Sequence, residues 1–202
     1  VWAAWPRGEA RAPPAQRAGA VVVVATAHLA PATAGKLLHV TGPVVPSQVL
    51  TDDAFGIQAE GIRLARHVEM FQWVEEESSK TQTKLGGGEE TVTTYTYKKE
   101  WKEGRVDSSE FKQPDNHQNP QAALDSQVFQ IDDGKLGDFV LTKSVLDDVG
   151  GANAYPIKSA DLDAVKAANP LGVPVSLADG VIVASQQPAS PSVGDLKIAY
   201  QL

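Results

Sequence analysis

The stretch 67–101 constrains the fold of this chain more than any other. In His67-Val68-Glu69-Met70-Phe71-Gln72-Trp73-Val74-Glu75 the residue character alternates. A strand here puts Met70, Gln72 and Val74 on one face and Phe71 and Trp73 on the other. Residues 91–101 alternate again, with Tyr95, Tyr97 and Trp101 sharing a side. Between them, 80–90 contains Gly86-Gly87-Gly88, a flexible connection. The pattern predicts an antiparallel hairpin with a long, mobile tip. Aromatics facing each other across such a pair contribute ~0.2–1 kcal/mol each.

Weaker signals fill in the rest. Lys135-Leu136-Gly137-Asp138-Phe139-Val140-Leu141 and Val193-Gly194-Asp195-Leu196-Lys197-Ile198-Ala199 each place Gly-Asp before a strand. Glycine supplies the unusual turn geometry, and Asp can bond nearby backbone before pairing begins. The two stretches are expected to mark equivalent strand starts. Asp179-Gly180 opens a further strand at Val181-Ile182-Val183. Ser159 is expected to cap a helix that buries Leu162 and Val165 and stops at Asn169-Pro170, and a shorter helical turn is expected over 144–149. Short helices among many strands predict an α+β, mainly β fold of antiparallel strands.

At 202 residues the chain can form one or two domains. A single domain of that size buries roughly 70% of its unfolded surface. Residues 18–202 are expected to form one domain, and 1–17, rich in Ala, Pro and Arg, a disordered N-terminal extension. The chain starts without Met and stops at Ala199-Tyr200-Gln201-Leu202 inside what reads as a strand, so we read it as a piece of a longer protein. Residues 18–35 carry no formal charge, but Thr26, His28, Pro31 and Thr33 argue against a membrane span. Val21-Val22-Val23-Val24 fits a buried strand. It also fits the apolar core of a signal peptide, with Arg7, Arg11 and Arg17 ahead of it and Ala25-Thr26-Ala27 as a cleavage site.

Composition narrows the chemistry. No cysteine is present, which removes disulfides, cysteine-ligated zinc, iron–sulfur clusters and thiol nucleophiles. With 25 acidic against 18 basic side chains, the net charge of −7 argues against a binder that tracks phosphates, so no nucleic-acid partner is expected. Lys98, Lys99 and Lys102 lie around Tyr97 and Trp101, but Glu100 and Glu103 interrupt that patch. His28, His39, His67 and His117 form no pair at metal-ligand spacing. His117, ahead of the Asn119-Pro120 turn, is expected to bond nearby backbone rather than act as a catalyst. Glu75-Glu76-Glu77 and Glu89-Glu90 flank the hairpin tip. They read either as a calcium or cationic-partner site or, as we expect, as solvated strand ends with Lys80 and Lys84 nearby. Asp132-Asp133-Gly134 lacks the further oxygen ligands of a calcium loop and reads as a turn. No P-loop, GxSxG or dinucleotide fingerprint occurs, so neither a cofactor nor a catalytic site is expected.

Taken in order, Gly35-Lys36-Leu37-Leu38-His39-Val40-Thr41-Gly42, the 66–75 block, Tyr95-Thr96-Tyr97-Lys98-Lys99-Glu100-Trp101, Phe111, His117-Gln118-Asn119-Pro120 and Pro191-Ser192-Val193-Gly194-Asp195-Leu196-Lys197 resemble the transmembrane protein 43 (LUMA) family. The likeness covers roughly 19–202, and Val68-Glu69-Met70-Phe71-Gln72-Trp73-Val74-Glu75 is its most specific part. The resemblance puts Val21 to Val24 on a family strand. It implies a domain on the lumenal or extracytoplasmic side of a multi-pass membrane protein, with one membrane helix before this region and several after it. In eukaryotes such proteins sit in the inner nuclear and endoplasmic reticulum membranes and organise membrane protein complexes, with emerin and lamins among the partners. In bacterial relatives the domain would be periplasmic or exterior. The family supplies no catalytic residues. The aromatics Phe71, Trp73, Tyr95, Tyr97 and Trp101 are then expected in the core. Glu75, Glu76, Glu77, Gly86, Gly87, Gly88, Glu89 and Glu90 are the candidate partner surface.

The leading expectation is therefore a non-catalytic extracytoplasmic domain that scaffolds membrane proteins, or self-associates, by displaying strand edges and acidic loops. The rival is an exported hydrolase or carbohydrate-active domain using paired carboxylates such as Glu75 or Asp138.

Overall fold

The computed structural model describes residues 21–24 and 36–202. The expected disordered extension, 1–17, lies outside the described residues. The valine run is a strand: β1 (Val21–Val24) pairs in parallel with β2 (Leu37–Val40), Val21 opposite Leu37. β3 (Val45–Pro46) lies against β9 (Asp133–Leu136), which pairs in turn with β10 (Phe139–Thr142). β4 (Leu50–Asp52) and β5 (Ile57–Ala59) form a small antiparallel hairpin.

The dominant sheet is built around β6 (Arg63–Thr83), a strand of 21 residues. On one edge it pairs with β13 (Leu196–Gln201), followed by β12 (Val181–Ala184) and β11 (Val175–Ala178). On the other edge β8 (Gln127–Gln130) pairs with residues 63–66, and β7 (Glu89–Glu103) with residues 69–83. Every pairing in this sheet is antiparallel. Along β6 burial alternates from Arg63 to Glu75, placing Leu64, Val68, Met70 and Val74 on the buried side. That face meets Phe55, Ile131, Leu146, Val165, Ile182 and Ile198 in the core. Each large side chain so buried stabilises the fold by about 1.5–3 kcal/mol relative to exposure.

Two tight turns fix the sheet edges. Asp179 (φ 51°) and Gly180 (φ 79°) join β11 to β12, and a Cβ on Gly180 would lie 2.5 Å from the Cβ of Pro156, so only glycine fits. Gly137 (φ 60°) and Asp138 join β9 to β10. Gly194-Asp195, by contrast, leads into β13 from a loop, where Asp195 Oδ2 accepts from the Ser192 N–H (2.8 Å) and the Ser185 hydroxyl (2.7 Å). The two Gly-Asp pairs are thus not equivalent strand starts.

Among the described residues, helix is confined to α1 (Lys143–Leu146) and α2 (Leu162–Ala168), with short 3₁₀ turns elsewhere. Val165 is fully buried and Leu162 half-buried, as the spacing predicts. Ser159 does not cap α2: it opens a 3₁₀ turn, Ser159–Asp161, and no side-chain capping bond is made there. Asn169 ends the helix, its Oδ1 accepting from Leu171 N–H (3.0 Å) and its Nδ2 donating to the Val173 carbonyl (2.8 Å).

The hairpin tip also differs from expectation. The ladder runs without a break from Glu69 opposite Glu103 to Thr83 opposite Glu89, leaving only 84–88 as the connection. Lys84 N–H donates to the Gly88 carbonyl (2.6 Å) and Gly87 N–H to the Lys84 carbonyl (3.1 Å). The β-branched residues Thr81, Thr83, Thr91 and Thr93 favour extended backbone up to the tip.

Candidate functional site

Alternating burial on β6 stops at Glu75, and every residue of 76–94 is exposed on both faces. The paired strands therefore leave the body as a two-stranded arm. At about 3.3 Å per residue, Glu76 to Thr83 carries the tip roughly 23 Å outward. Leu85 at the tip is fully exposed and Val92 half-exposed. Cross-strand contacts hold the arm: Ser79 with Thr93 and Thr81 with Thr91, both 3.0 Å between hydroxyls, and Lys84 with Glu90 at 3.2 Å.

The candidate acidic residues do not form one cluster. Glu75, Glu76 and Glu77 lie at the base of the arm, Glu89 and Glu90 beside the tip. Strand alternation also splits them between faces, with Glu75, Glu77 and Glu89 on one and Glu76 and Glu90 on the other. Glu76 pairs with Lys98, which also reaches Glu100 at 3.0 Å. Glu75 is built into the fold: its Oε2 accepts from the Tyr97 hydroxyl and the Lys112 N–H, both at 2.6 Å. Gly86, Gly87 and Gly88 form the tip itself, where a Cβ would meet open space.

The aromatics Phe71, Trp73, Tyr95, Tyr97 and Trp101 are not core residues. They line the outer face of the hairpin, half-buried, because the inward phase of β6 belongs to Met70, Gln72 and Val74. Phe71 packs on Trp101 with centroids 5.3 Å apart. The ammonium of Lys197 sits 4.4 Å over Trp101, and that of Lys99 4.7 Å over Trp73. His117 stacks on Tyr97 at 3.8 Å and meets Trp73 edge-on at 4.7 Å, while its Nδ1 lies 2.8 Å from the Gln113 carbonyl. That is the backbone-bonded turn histidine expected.

Two carboxamides fasten this face to the sheet. Gln72 is fully buried, its Oε1 accepting from Val106 N–H (2.8 Å) and its Nε2 donating to the Lys102 and Gly104 carbonyls (3.0 and 2.6 Å). It thereby turns the chain back after β7. Asn119, 6% exposed, accepts from Trp73 N–H (2.8 Å) and donates to the Trp73 carbonyl (2.9 Å). The returning segment 106–120 is clasped to β6 at that point, which brings Phe111 and His117 onto Tyr97.

A buried polar network lies away from the arm. Arg66 donates to both Asp52 oxygens at 2.7 Å, the Tyr200 hydroxyl donates to Asp52 Oδ2 at 2.7 Å, and Ala54 N–H donates to Oδ1 at 3.0 Å. The guanidinium also reaches the Asp125 carbonyl and Gln127 Oε1. Burial, and next the bond to Asp52, push the Tyr200 phenol far above its ordinary pKa. Every group in this network is satisfied within the fold, and its role is to join β4, β6, β13 and the approach to β8.

Other features bearing on chemistry lie apart. Asp138 occupies the β9–β10 turn, and Glu75 stands on β6 at the base of the arm. A cleft of about 250 Å³ is lined by Gln58, Tyr155, Lys158 and Asp161 among others, with Asp161 its one carboxylate. Among the described residues no group of three His, Asp or Glu side chains can hold a metal ion. No helix among them is long and apolar enough to cross a membrane.

Comparison with known proteins completes the picture. A family model described as Transmembrane protein 43 matches residues 70–202. Transmembrane protein 43 of Homo sapiens is 31% identical over 173 residues, covering 85% of this chain and 41% of the relative. The Rattus norvegicus protein of the same name gives the same identity and coverage. Transmembrane protein 43 homolog of Drosophila melanogaster is 29% identical over 168 residues, covering 82% of this chain and 42% of that protein. The chain thus spans about two fifths of the length of these curated relatives. No solved structure matches it.

Proposed function

Because this chain belongs to the transmembrane protein 43 family, we propose that it is a non-catalytic, extracytoplasmic domain of a multi-pass membrane protein, organising membrane protein complexes through direct contacts. Residues 18–202 act as one such domain, with 1–17 an extension ahead of it. The membrane spans belong to parts of the parent outside this chain, in keeping with the names of its relatives. The observation that carries the reading is the arm over 76–94, solvated on both faces and tipped by an exposed leucine. A two-stranded ribbon of this kind is marginal alone, and an exposed strand edge is a template for pairing with another chain. Glu76, Glu77, Glu89, Glu90 and the Gly86-Gly87-Gly88 tip form the contact surface; Glu75 shapes its base.

The hydrolase reading draws no support from the geometry. It needs two carboxylates roughly 5–10 Å apart across a cleft, whereas the cleft beside Tyr155 and Lys158 is lined by one carboxylate, Asp161, and by neither Glu75 nor Asp138. The test is membrane extraction and protease protection of the parent protein, probed with an epitope in the tip. Detergent-dependent extraction, with the epitope shielded from cytoplasmic protease, supports the proposal. Product in the soluble fraction, or an epitope cut from the cytoplasmic side, overturns it.

A further inference from the structure

β7 is the terminal strand of the main sheet, and among the described residues no strand pairs with its outer edge. Its ladder to β6 keeps one register throughout, so no bulge twists that edge away. Residues 91–97, Thr-Val-Thr-Thr-Tyr-Thr-Tyr, contain no proline and no charge, the devices that usually protect an open edge. The charges stand only at the two ends: Glu89 and Glu90 before this stretch, Lys98 and Lys99 after it.

That arrangement is self-complementary. We propose that the arm pairs with the arm of a second copy of this chain, β7 against β7 in antiparallel register, on a two-fold axis through Thr94. This deepens the contact-surface reading above, which it rests on, by naming the partner and the register. The two-fold places Glu89 opposite Lys99 and Glu90 opposite Lys98, twice each. On one face Thr91 meets Tyr97 and Thr93 meets Tyr95. On the other Val92 meets Thr96, and Thr94 meets its own copy. These are opposite-charge, aromatic–β-branched and Thr–Thr pairs, the combinations that stabilise antiparallel neighbours. The interface is isologous and closed, so it yields a dimer and not a fibre. It also turns two marginal ribbons into one four-stranded sheet.

The present partners of the charges do not prevent this. Glu90, with Lys84, and Lys98, with Glu76 and Glu100, each keep about half their side chain exposed (52% and 47%), and exposed pairs of this kind are weak and exchangeable. Lys99 rests over Trp73 and is exposed. The free edge of β6 is a poorer choice, since Glu75, Glu76 and Glu77 crowd one end of it against a single lysine, Lys80.

Sedimentation of the 202-residue chain and two charge variants tests the register. The parent chain is expected to dimerise. Lys98→Glu/Lys99→Glu and Glu89→Lys/Glu90→Lys each put like charges opposite one another, and each is expected to raise the dimer dissociation constant by at least about tenfold. An equimolar mixture of the two restores opposite charges and is expected to form the mixed dimer, which also shows that both variants fold. Because the chain has no cysteine, Thr94→Cys adds a clean probe: mild copper-catalysed air oxidation should link Thr94→Cys chains as dimers and leave Ser79→Cys chains unlinked. A monomeric parent chain, variants that dimerise like the parent, a mixture that stays monomeric, or equal linking at both positions would each overturn the proposal. A monomeric chain whose arm cross-links to a different protein would overturn self-pairing and leave the scaffold reading standing.

Discussion

The carboxamide of Asn119 takes the place of a strand against Trp73, accepting from its N–H at 2.8 Å and donating to its carbonyl at 2.9 Å. The neighbouring pairing position on the same edge is a backbone one, with Phe71 bonded to Asp195 and Gly194 at 2.9 Å each. The sheet edge thus passes from a chain to a single side chain and then ends. Beyond it the arm runs free.

Asn119→Ala removes both bonds and a third, from Nδ2 to the Val106 carbonyl (3.2 Å), leaving three part-buried backbone groups without this partner, a loss of about 1–3 kcal/mol. Urea unfolding should show that decrease. Hydrogen exchange should quicken at Trp73 and over 106–120 while the β12–β13 amides stay protected. Uniform loss of protection would mean that the clasp is part of the global core.

Gln72→Leu keeps the volume of a buried residue but abandons Val106 N–H and the Lys102 and Gly104 carbonyls. The expected destabilisation is about 1–3 kcal/mol, read by thermal unfolding. An apolar replacement that is neutral would show that water serves these groups equally well.

The Asp52–Arg66 pair is buried on both sides (2% and 5% exposed). Arg66→Met strands the Asp52 carboxylate, and a cost of about 3–5 kcal/mol is expected. Asp52→Leu combined with Arg66→Met should cost less than the two single changes summed, because neither charge is then left alone. Additive losses in a double-mutant cycle would contradict the coupling.

Three carboxyls are held below their ordinary pKa: Glu103 by the Ser126 hydroxyl and then His67, Asp147 by Lys143 and then Gln130, and Asp107 by Ser109. Each binds its proton more weakly folded than unfolded, so the stability they lend is complete above the ordinary carboxylate range. It is lost as pH falls through that range toward the lower folded values. Tyr200 has the opposite sign. Its raised pKa lends stability that is complete below about 10, and that declines as pH rises and the unfolded chain loses its proton first. Unfolding followed across pH should give a plateau near neutrality with both limbs falling, and Tyr200→Phe should flatten the alkaline limb. A flat profile above pH ~10 in the parent chain would contradict the burial of that phenol.

How much of this was legible follows from what alternation encodes. The pattern over 67–75 separates two faces correctly, but both carry apolar groups, and alternation alone does not say which points inward. The larger aromatics suggest their own face as core, yet Gln72 lies on the buried side because three backbone groups need it there. Arg66 carried a signal of its own: it shares the phase of Val68 and Met70, which places a charge inside and asks for a partner. That partner, Asp52, and the third member, Tyr200, come from distant segments that no local pattern links. The glycine triplet at the tip suggested a long loop, whereas the threonines on either side extend the strands to within five residues of closure. His117 and Asn119 stood out as a turn, but their stacking and clasping roles depend on where β7 brings the returning chain.

In the proposed function the arm contacts a protein partner and contributes little to the fold. The most direct measurement places a photo-activated cross-linking side chain at Leu85, and for comparison at the exposed Val140 in β10, within the parent protein in its native membrane. Discrete protein adducts are expected from Leu85 and none from Val140, with an unfolding temperature unchanged by the tip substitution. Adducts from Val140 alone, or none from Leu85 in a correctly inserted protein, would contradict it.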